Sequence, residues 1–295
     1  MKHIAIIVLI LFLSSCSGTK NTIEKQKIPK NKALIVTEVP DLTEKKDDIK
    51  AENTEIIEEN IISENDSLGF NQILSKRILT EHQLWDELLQ KHVSENGDVN
   101  YDSFKEEHIE LLGYIKLLKI SYEKRNLVTK RPQNELLAYW INAYNALTID
   151  LIIRNYPLKS IKDIKDPWDQ RLWKFGDKWL NLNDIEHKIL RKMDEPRIHF
   201  AIVCASESCP KLQNEAFNAE NLEEQLTNAT KEFLSDTSKN EISQNNVKLS
   251  KIFKWFKKDF EQNGSLIDFI NQYSEITISD KAKKNFKDYS WELNN

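Results

Sequence analysis

The chain has 295 residues, of which 30% are charged, and its formal net charge is −5. From residue 68 onward the charges nearly balance and form no basic stripe, so we expect no nucleic-acid partner. The sequence contains no GxGxxG, P-loop or HExxH motif, which removes the sequence support for a dinucleotide, a nucleotide or that type of zinc site.

The N-terminus has the pattern of an export signal. Lys2 is followed by an apolar stretch from Ile4 to Leu13 and then by Ser14-Ser15-Cys16, in the order that signal peptides show. The stretch is too short for a transmembrane helix, which needs about 20 apolar residues. Leu13-Ser14-Ser15-Cys16 resembles the bacterial lipobox, whose cysteine is diacylated; the alternative is an ordinary cleaved signal with a chance cysteine.

We therefore predict a lipoprotein signal peptide at residues 1–15 and lipidation of Cys16. Acyl chains hold a protein on a membrane by burying CH₂ groups, so the expected location is the bacterial cell envelope, outside the cytoplasm. The membrane would then be a partner through this anchor. Residues 16–67 are highly charged and poor in core-forming residues, which is typical of a disordered spacer.

Residues 68–295 are rich in aromatic residues and long enough for one sizeable core. The pattern predicts an α+β fold class, namely a mostly helical single domain with a small β-sheet and a buried central helix. Helices are predicted at 70–91, 104–118, 132–155, 183–193, 219–234, 253–261 and 266–273. A hairpin is predicted at 173–182, and strands at 198–203, 247–249 and 276–278.

The central helix carries two candidate site residues. It begins near Pro132, which suits a first helical turn, and it is apolar nearly all round, as buried helices are. Asn142 and Asn145 lie about 60° apart on its surface. Because an unpaired buried amide costs about 1–3 kcal/mol, each should have partners: either a backbone segment such as the cysteine loop, or a reacting group.

The remaining two cysteines lie in one short loop, Cys204-Ala205-Ser206-Glu207-Ser208-Cys209-Pro210. It follows an apolar run from Ile198 to Val203 that has the pattern of a buried strand. If Cys16 is lipidated, Cys204 and Cys209 are the two cysteines left to pair with each other. An extracytoplasmic space favours a disulfide between them.

Two histidines lie close to this loop in sequence. His187 is on the short helix that Asn183 and Glu186 would open as a capping box. His199 is on the predicted strand, where alternating side chains put it on the face opposite to Cys204. His187 is therefore the better candidate base, while His82, His92 and His108 are expected on solvated helix faces.

Three interpretations of these four residues remain open. The first is nucleophilic catalysis, with a thiolate activated by an imidazole and an amide that orients the ring or binds an oxyanion. The second is a Cys₂His₂ metal site, which the spacing of the histidines disfavours. The third is a structural disulfide beside two hydrogen-bonded histidines.

Several segments resemble a known family, domain of unknown function 547. They are Tyr139 to Leu147, Tyr156 to Ile161, Leu182 to Arg191, Pro196 to Ala201, Cys204 to Pro210, Leu249 to Phe256 and Asp288 to Asn294. The resemblance implies a family pattern that includes the two asparagines, His187, Arg197, His199 and both cysteines. It implies no established activity, and a thiol site of the papain or transglutaminase kind is an analogy.

The sequence thus predicts a cysteine-dependent hydrolase or transferase that acts on an amide-like bond. Its catalytic residues would be Cys204, His187, Asn142 and Asn145, with Arg197 placed to bind a carboxylate. His199 and Cys209 would contribute to binding, and the ligand would be a small molecule or peptide. No metal or cofactor is predicted. The alternative is a non-enzymatic envelope module in which a Cys204–Cys209 disulfide staples a binding surface.

Overall fold

The computed structural model describes residues 81–126 and 131–295. Its α-helices are Gln83–His92 (α1), Tyr101–Glu106 (α2), His108–Asn126 (α3), Gln133–Asn155 (α4), Leu222–Ser235 (α5), Ile252–Trp255 (α6), Lys257–Phe260 (α7) and Leu266–Asn271 (α8). The strands are Trp173–Phe175 (β1), Lys178–Leu180 (β2), Glu241–Ile242 (β3), Asn246–Leu249 (β4) and Lys283–Phe286 (β5). The predicted fold class, a mostly helical α+β domain, is confirmed.

Helix α4 is the centre of the domain. Every residue from Leu137 to Ile153 is buried, which accounts for a sequence that is apolar on all sides. The helix ends at Asn155 because Pro157 follows and Tyr156 is extended, as residues before proline usually are. By length and composition α4 could cross a membrane, but its apolar residues are buried inside the domain.

The β-structure consists of two small sheets. Strands β1 and β2 form the predicted antiparallel hairpin, with Trp173 opposite Leu180, and its turn uses Gly176 at a φ of 57°, a conformation that glycine adopts without strain. In the second sheet β3 pairs antiparallel with β4, and β4 pairs parallel with β5. The central strand β4 alternates exposed and buried side chains, as a sheet with one covered face does.

Two hydrophobic clusters form the core. The first surrounds α4 and includes the tryptophans Trp85, Trp140 and Trp173. The second is built largely from phenylalanines of the C-terminal half: Phe200, Phe233, Phe253, Phe260 and Phe269. In the cysteine loop, Ala205 and Cys209 belong to the first cluster and Cys204 packs against it.

The predicted strand at 198–203 is wrong. Pro196–Phe200 is instead a 3₁₀ helix, capped by the Glu195 side chain, which accepts a hydrogen bond from the Arg197 N–H. Ile198 belongs to the first cluster and Phe200 to the second. A short helix wedged between two cores buries apolar residues on every side, so the continuous apolar run does not distinguish it from a buried strand.

The predicted strand at 276–278 is also absent. The Asn271 side chain accepts a hydrogen bond from the Ile278 N–H at 2.8 Å and donates one to the Ile278 carbonyl at 2.9 Å. The amide therefore satisfies the two backbone groups that a neighbouring strand would have paired. The last strand of the described chain is β5, further on.

The capping box expected at Asn183 does not form, although the helical segment does. The segment is a π-helical turn at Asp184–Ile189 followed by a 3₁₀ turn at Leu190–Lys192, and the Asn183 side chain caps nothing. Asn183 donates to the Asp169 side chain instead, which leaves Glu186 directed elsewhere.

Several predictions lie outside the described residues. They are the signal peptide, Cys16, the spacer, the domain boundary at 68 and the first part of the helix predicted at 70–91. They stay predictions.

Candidate functional site

The cysteine loop is closed by a disulfide. The structure bonds Cys204 to Cys209, with 6.4 Å between their Cα atoms. The backbone N–H of Cys204 also donates to the sulfur of Cys209, at 3.0 Å. Ala205 turns the chain with a φ of 55°, a left-handed conformation that a residue with a Cβ adopts only when its surroundings enforce it.

Two hydroxyl groups contact both sulfur atoms. Ser206 Oγ lies 3.2 Å from each sulfur, and the Tyr289 hydroxyl lies 3.4 Å from Cys204 Sγ and 3.3 Å from Cys209 Sγ. The two hydroxyls are 3.0 Å apart. Burial raises the pKa of Tyr289 to about 12, so it remains a donor at neutral pH.

Asn145 holds the backbone that leads into the loop. Its side-chain nitrogen donates to the Ala201 carbonyl at 2.9 Å, and its oxygen accepts from the Val203 N–H at 3.0 Å. The C-terminal segment holds the other side, because the Glu207 N–H donates to the Glu292 carbonyl and the Ser290 N–H donates to Ser208 Oγ.

Asn142 makes the equivalent pair of bonds to a different segment. It donates to the Phe217 carbonyl at 2.7 Å and accepts from the Phe217 N–H at 3.0 Å. Both asparagines thus tie buried backbone to α4, as one of the two sequence-based alternatives expected. Neither belongs to the described lining of the cavity beside the loop.

That cavity has a volume of about 250 Å³. It brings together both cysteines and both candidate histidines, His187 and His199, with residues that the sequence did not single out. Its lining comprises Tyr144, Trp168, Asn183, Glu186, His187, His199, Ile202, Cys204, Cys209, Pro210, Ile252, Trp255, Phe256, Tyr289 and Trp291. Polar groups converging in an apolar pocket are typical of a binding or active site.

Glu186 is the acidic residue of this lining. Its Oε2 accepts a hydrogen bond from the Tyr144 hydroxyl at 3.3 Å, while Oε1 accepts none from the described residues. Oε1 is also not among their fully buried unpaired atoms, in a residue that lines the cavity. Burial raises the pKa of Glu186 to about 7, against the opposing effects of Tyr144 and Arg191.

His199 is held by a carboxylate. Its Nε2 lies 2.8 Å from Asp259 Oδ2, and its ring stacks on Phe256 with 3.9 Å between centroids. Burial lowers the pKa of His199, although Asp259 opposes the shift. Nδ1 makes no hydrogen bond to the described residues, and the side chain is only 1% exposed although the residue lines the cavity.

Asp259 also pairs with a guanidinium. Arg191 donates Nε and Nη2 to the two carboxylate oxygens at 2.6 and 2.8 Å. Burial raises the pKa of Asp259, but the hydrogen bonds from His199 and Arg191 outweigh it and hold that pKa well below its usual range. Asp259 is therefore ionised and matches the charge of Arg191.

His187 is oriented by the same arginine. Arg191 Nη1 lies 3.0 Å from His187 Nδ1, and because a guanidinium can only donate, Nδ1 accepts and Nε2 carries the proton. Burial and the charge of Arg191 lower the pKa of His187. Neither His187 nor His199 forms a hydrogen bond with a cysteine sulfur in the described structure.

The structure places Arg197 away from this cavity. Its guanidinium donates to the carboxylates of Glu195 and Glu223 at 2.6–2.8 Å and to Thr227 Oγ1 at 3.1 Å. These partners surround a side chain that is only 9% exposed. The carboxylates that Arg197 was expected to bind are therefore present within its own chain.

Sequence reasoning missed Glu186, Asp259, Tyr289 and the tryptophans of the cavity. Glu186 was assigned to a cap, Asp259 lies 60 residues from His199, and Tyr289 lies 80 residues from Cys209. The tryptophan and tyrosine of the C-terminal segment were visible only within the family resemblance. The three histidines expected on solvated faces were misplaced: His92 is buried, His82 bonds the Tyr114 hydroxyl at 2.7 Å, and His108 pairs with the buried carboxylate of Asp150 at 2.7 Å.

Within the described part of the chain, no group of three or more His, Cys, Asp and Glu side chains is arranged to hold a metal ion. His187 and His199 are committed to Arg191 and Asp259 rather than to the sulfurs.

Residues 128–234 match the model of a family described as protein of unknown function, DUF547. This stretch contains both asparagines, His187, Arg197, His199 and both cysteines. Asp259, Tyr289 and Trp291 lie beyond it. No curated protein and no solved structure matches the chain.

Proposed function

We propose that this chain with a DUF547 region is an exported, lipid-anchored protein whose cavity is a thiol active site for hydrolysis or transfer at an amide-like bond. One observation carries the proposal. Cys204 lines the same cavity as an imidazole, His199, whose far nitrogen is held by a carboxylate. Nucleophile, base and orienting group are the three parts of such a site.

The thiol is available only after the disulfide opens. A dithiol reductant would supply two electrons and become a disulfide itself, leaving Cys204 and Cys209 as thiols. The Cys204 thiolate then attacks the acyl carbon, and the imidazolium returns its proton to the departing amine. Water or a second amine attacks the resulting thioester, so that the acyl group leaves and the thiol is restored.

His199 suits the role of base better than His187 in this geometry. The argument that set His199 on the wrong face depended on a strand that is absent. With Nε2 on Asp259, Nδ1 of His199 has no bond to the described residues and is the acceptor left over, whereas Nδ1 of His187 is already used by Arg191. Imidazole–thiol contacts are often long before substrate binds, so the lack of a direct bond is compatible with the role.

The two asparagines serve this site as positioning residues in our proposal. Asn145 fixes the carbonyl of Ala201 and the N–H of Val203, next to Cys204. Asn142 fixes the segment at Phe217. Arg197 stabilises the 3₁₀ helix that carries His199.

A second candidate function is an envelope binding module whose disulfide is purely structural. The bonded sulfurs favour it, as does an oxidising location. In that case Cys204 and Cys209 would shape the cavity wall without reacting.

Alkylation kinetics separate the two functions. After reduction with a dithiol, iodoacetamide should label Cys204 faster than Cys209, because an adjacent imidazole raises the thiolate fraction. His199→Ala should slow that labelling, and the matched His187→Ala should slow it less. A disulfide that resists reduction in the folded protein, or equal labelling of both thiols in all variants, would support the binding module. The reverse order of the two histidine variants would return the base to His187.

The anchor has its own test. Cys16→Ala should release the protein from the membrane fraction or block its maturation, because no acyl chain could then be attached. Unchanged membrane association would remove this part of the proposal.

A further inference from the structure

Part of the cavity lining is a continuous cluster of aromatic rings, called the aromatic cluster here and formed by Trp168, Trp255, Tyr289 and Trp291. Trp291 is central, with ring centroids 5.6 Å from Trp168, 5.8 Å from Trp255 and 4.6 Å from Tyr289. Trp255 is 46% exposed. An exposed tryptophan that continues an aromatic wall into a cavity offers ring faces to a ligand.

The charges around the cavity are unequal. Among the described residues that line it, Glu186 is the acidic one and none is a lysine or arginine. Burial lowers the pKa of both histidines, so neither carries a full charge at neutral pH. Arg191 behind the wall is matched by both carboxylate oxygens of Asp259. An anion would find no cation free to bind it in this lining.

Glu186 keeps an unpaired oxygen at the cavity. Tyr144 bonds its Oε2, while Oε1 lies 3.9 Å from the nearest imidazole nitrogen, on His187, too far for a hydrogen bond. A carboxylate oxygen of a buried side chain, without a donor, is poorly solvated and gains from a cation that brings N–H groups. The faces of tryptophan and tyrosine rings attract the same kind of group.

We propose that the cavity binds an organic ammonium group, with Glu186 Oε1 as its anionic partner and the aromatic cluster as its wall. A ring of this cluster already engages a cation, since Lys162 Nζ lies 4.1 Å from the Trp291 centroid. That the ligand is a substrate rests on the proposed thiol function. If this function holds, the substrate is an amide or amine acceptor that carries a protonated amine.

The test compares three probes of similar shape and different charge: benzylammonium, benzyl alcohol and benzoate. Calorimetric titration of the full chain at pH 8 should show benzylammonium binding about tenfold more tightly than the alcohol, with benzoate the weakest. In Glu186→Gln the advantage of benzylammonium should vanish. The control Glu207→Gln removes an exposed charge from the cysteine loop and should leave the advantage of benzylammonium intact.

A pH series on the unaltered chain keeps the proposal testable if Glu186→Gln does not fold. Benzylammonium affinity should rise as the pH rises through about 7, because the carboxylate form of Glu186 binds the cation. The titratable groups facing Glu186 are Tyr144, His187, Arg191, Asp259 and Tyr289. Of these, the tyrosines stay protonated, Arg191 and Asp259 stay charged, and His187 titrates below this range.

Equal affinity for the three probes, tightest binding of benzoate, or a preference that survives Glu186→Gln would overturn the inference. The titrations are repeated in Cys204→Ser, which cannot catalyse thiol chemistry. A cation preference retained there, together with a failed alkylation test, would refute the enzyme and keep the ammonium site. Absence of the preference in the unaltered chain, with Cys204 alkylated as expected, would refute the site and keep the enzyme.

Discussion

Two arginines of this domain, one buried and one partly exposed, are paired with carboxylates in different ways. Arg197 is surrounded by Glu195, Glu223 and Thr227, and its guanidinium nitrogens all find acceptors there. Arg191 pairs with Asp259, and each of these two also bonds a histidine that lines the cavity. The first of these two polar clusters, around Arg197, is closed on itself. The second, around Arg191 and Asp259, ends at the cavity.

The difference separates structural polar groups from candidate functional ones. In a closed cluster each buried charge keeps its partner, so the loss of one partner destabilises the fold. A cluster that ends in an atom without a partner among the described residues, such as Nδ1 of His199, leaves hydrogen-bonding capacity for a ligand, and buried polar atoms that remain unpaired call for a reason. Substitutions in the Arg197 cluster should therefore change mainly stability, and substitutions in the Arg191 and Asp259 cluster should change mainly what happens at the cavity.

The largest effect on stability is expected at Arg197. Arg197→Met keeps much of the apolar stem but leaves Glu195 without its cation, so the free energy of unfolding should fall by about 3–4 kcal/mol. Glu223 is 82% exposed and adds little to the loss. Urea denaturation measures the change. Benzylammonium affinity of the folded variant should be unaltered; an altered affinity would show that the two clusters are coupled.

Glu186 should show the opposite behaviour. Its pKa is raised to about 7 in the folded state, so its contribution to stability is complete below the unfolded value and is lost as pH rises through 7. Glutamine does not ionise, and Glu186→Gln should therefore gain about 3 kcal/mol relative to the unaltered chain between pH 5 and pH 8. Denaturation at both values checks this, with Glu207→Gln as the control. A constant difference would mean that the carboxyl does not titrate in this range.

The tie between α4 and the cysteine loop is expected to matter next. Asn145→Leu would orphan the Ala201 carbonyl and the Val203 N–H, at a cost of about 2–3 kcal/mol. Asn142→Leu orphans the same two kinds of group at Phe217 and serves as its matched control for stability. After correction for the folded fraction, only Asn145→Leu should change the alkylation rate of Cys204. Equal rates would place the loop under the control of the C-terminal segment alone.

How far the sequence predicts this domain depends on how local each signal is. The central helix was predictable because a helix that is apolar all round cannot present a face to water, and its two amides had to find partners. Asn271 likewise uses its side-chain amide to pair both backbone groups of Ile278. There the amide takes the place of a neighbouring strand, and the strand predicted at 276–278 is absent. An asparagine placed beside a buried segment can replace a neighbouring strand, and the sequence does not say where.

The site was predicted only in part, for reasons of distance along the chain. Cys204 and Cys209 are neighbours, and their disulfide was among the alternatives. The residues that decide the chemistry come from remote segments: Asp259 from α7 and Tyr289 from the C-terminus. The orientation of Glu186 depends on Tyr144 of α4, a residue whose face looked purely apolar. Contacts between residues so far apart in sequence follow from tertiary packing, which the hydrophobic periodicity of each segment does not determine.

The smallest effect on stability, and the sharpest on the proposed chemistry, is expected at Asp259. Asp259→Asn keeps the shape and one acceptor oxygen, so unfolding should become easier by only about 1–2 kcal/mol, since Arg191 is 27% exposed and can be solvated. The loss of the carboxylate should lower the pKa of His199 further, because Asp259 opposes the effect of burial on that ring.

A less basic His199 would stabilise the Cys204 thiolate less. In reduced protein, the pH midpoint for alkylation of Cys204 should therefore move up by about one unit in Asp259→Asn. A merely structural Asp259 would change stability but leave the midpoint where it was, and Arg197→Met provides that comparison. An unchanged midpoint in Asp259→Asn would show that His199 does not affect the Cys204 thiol. The polar cluster around Arg191 and Asp259 would then be as purely structural as the one around Arg197.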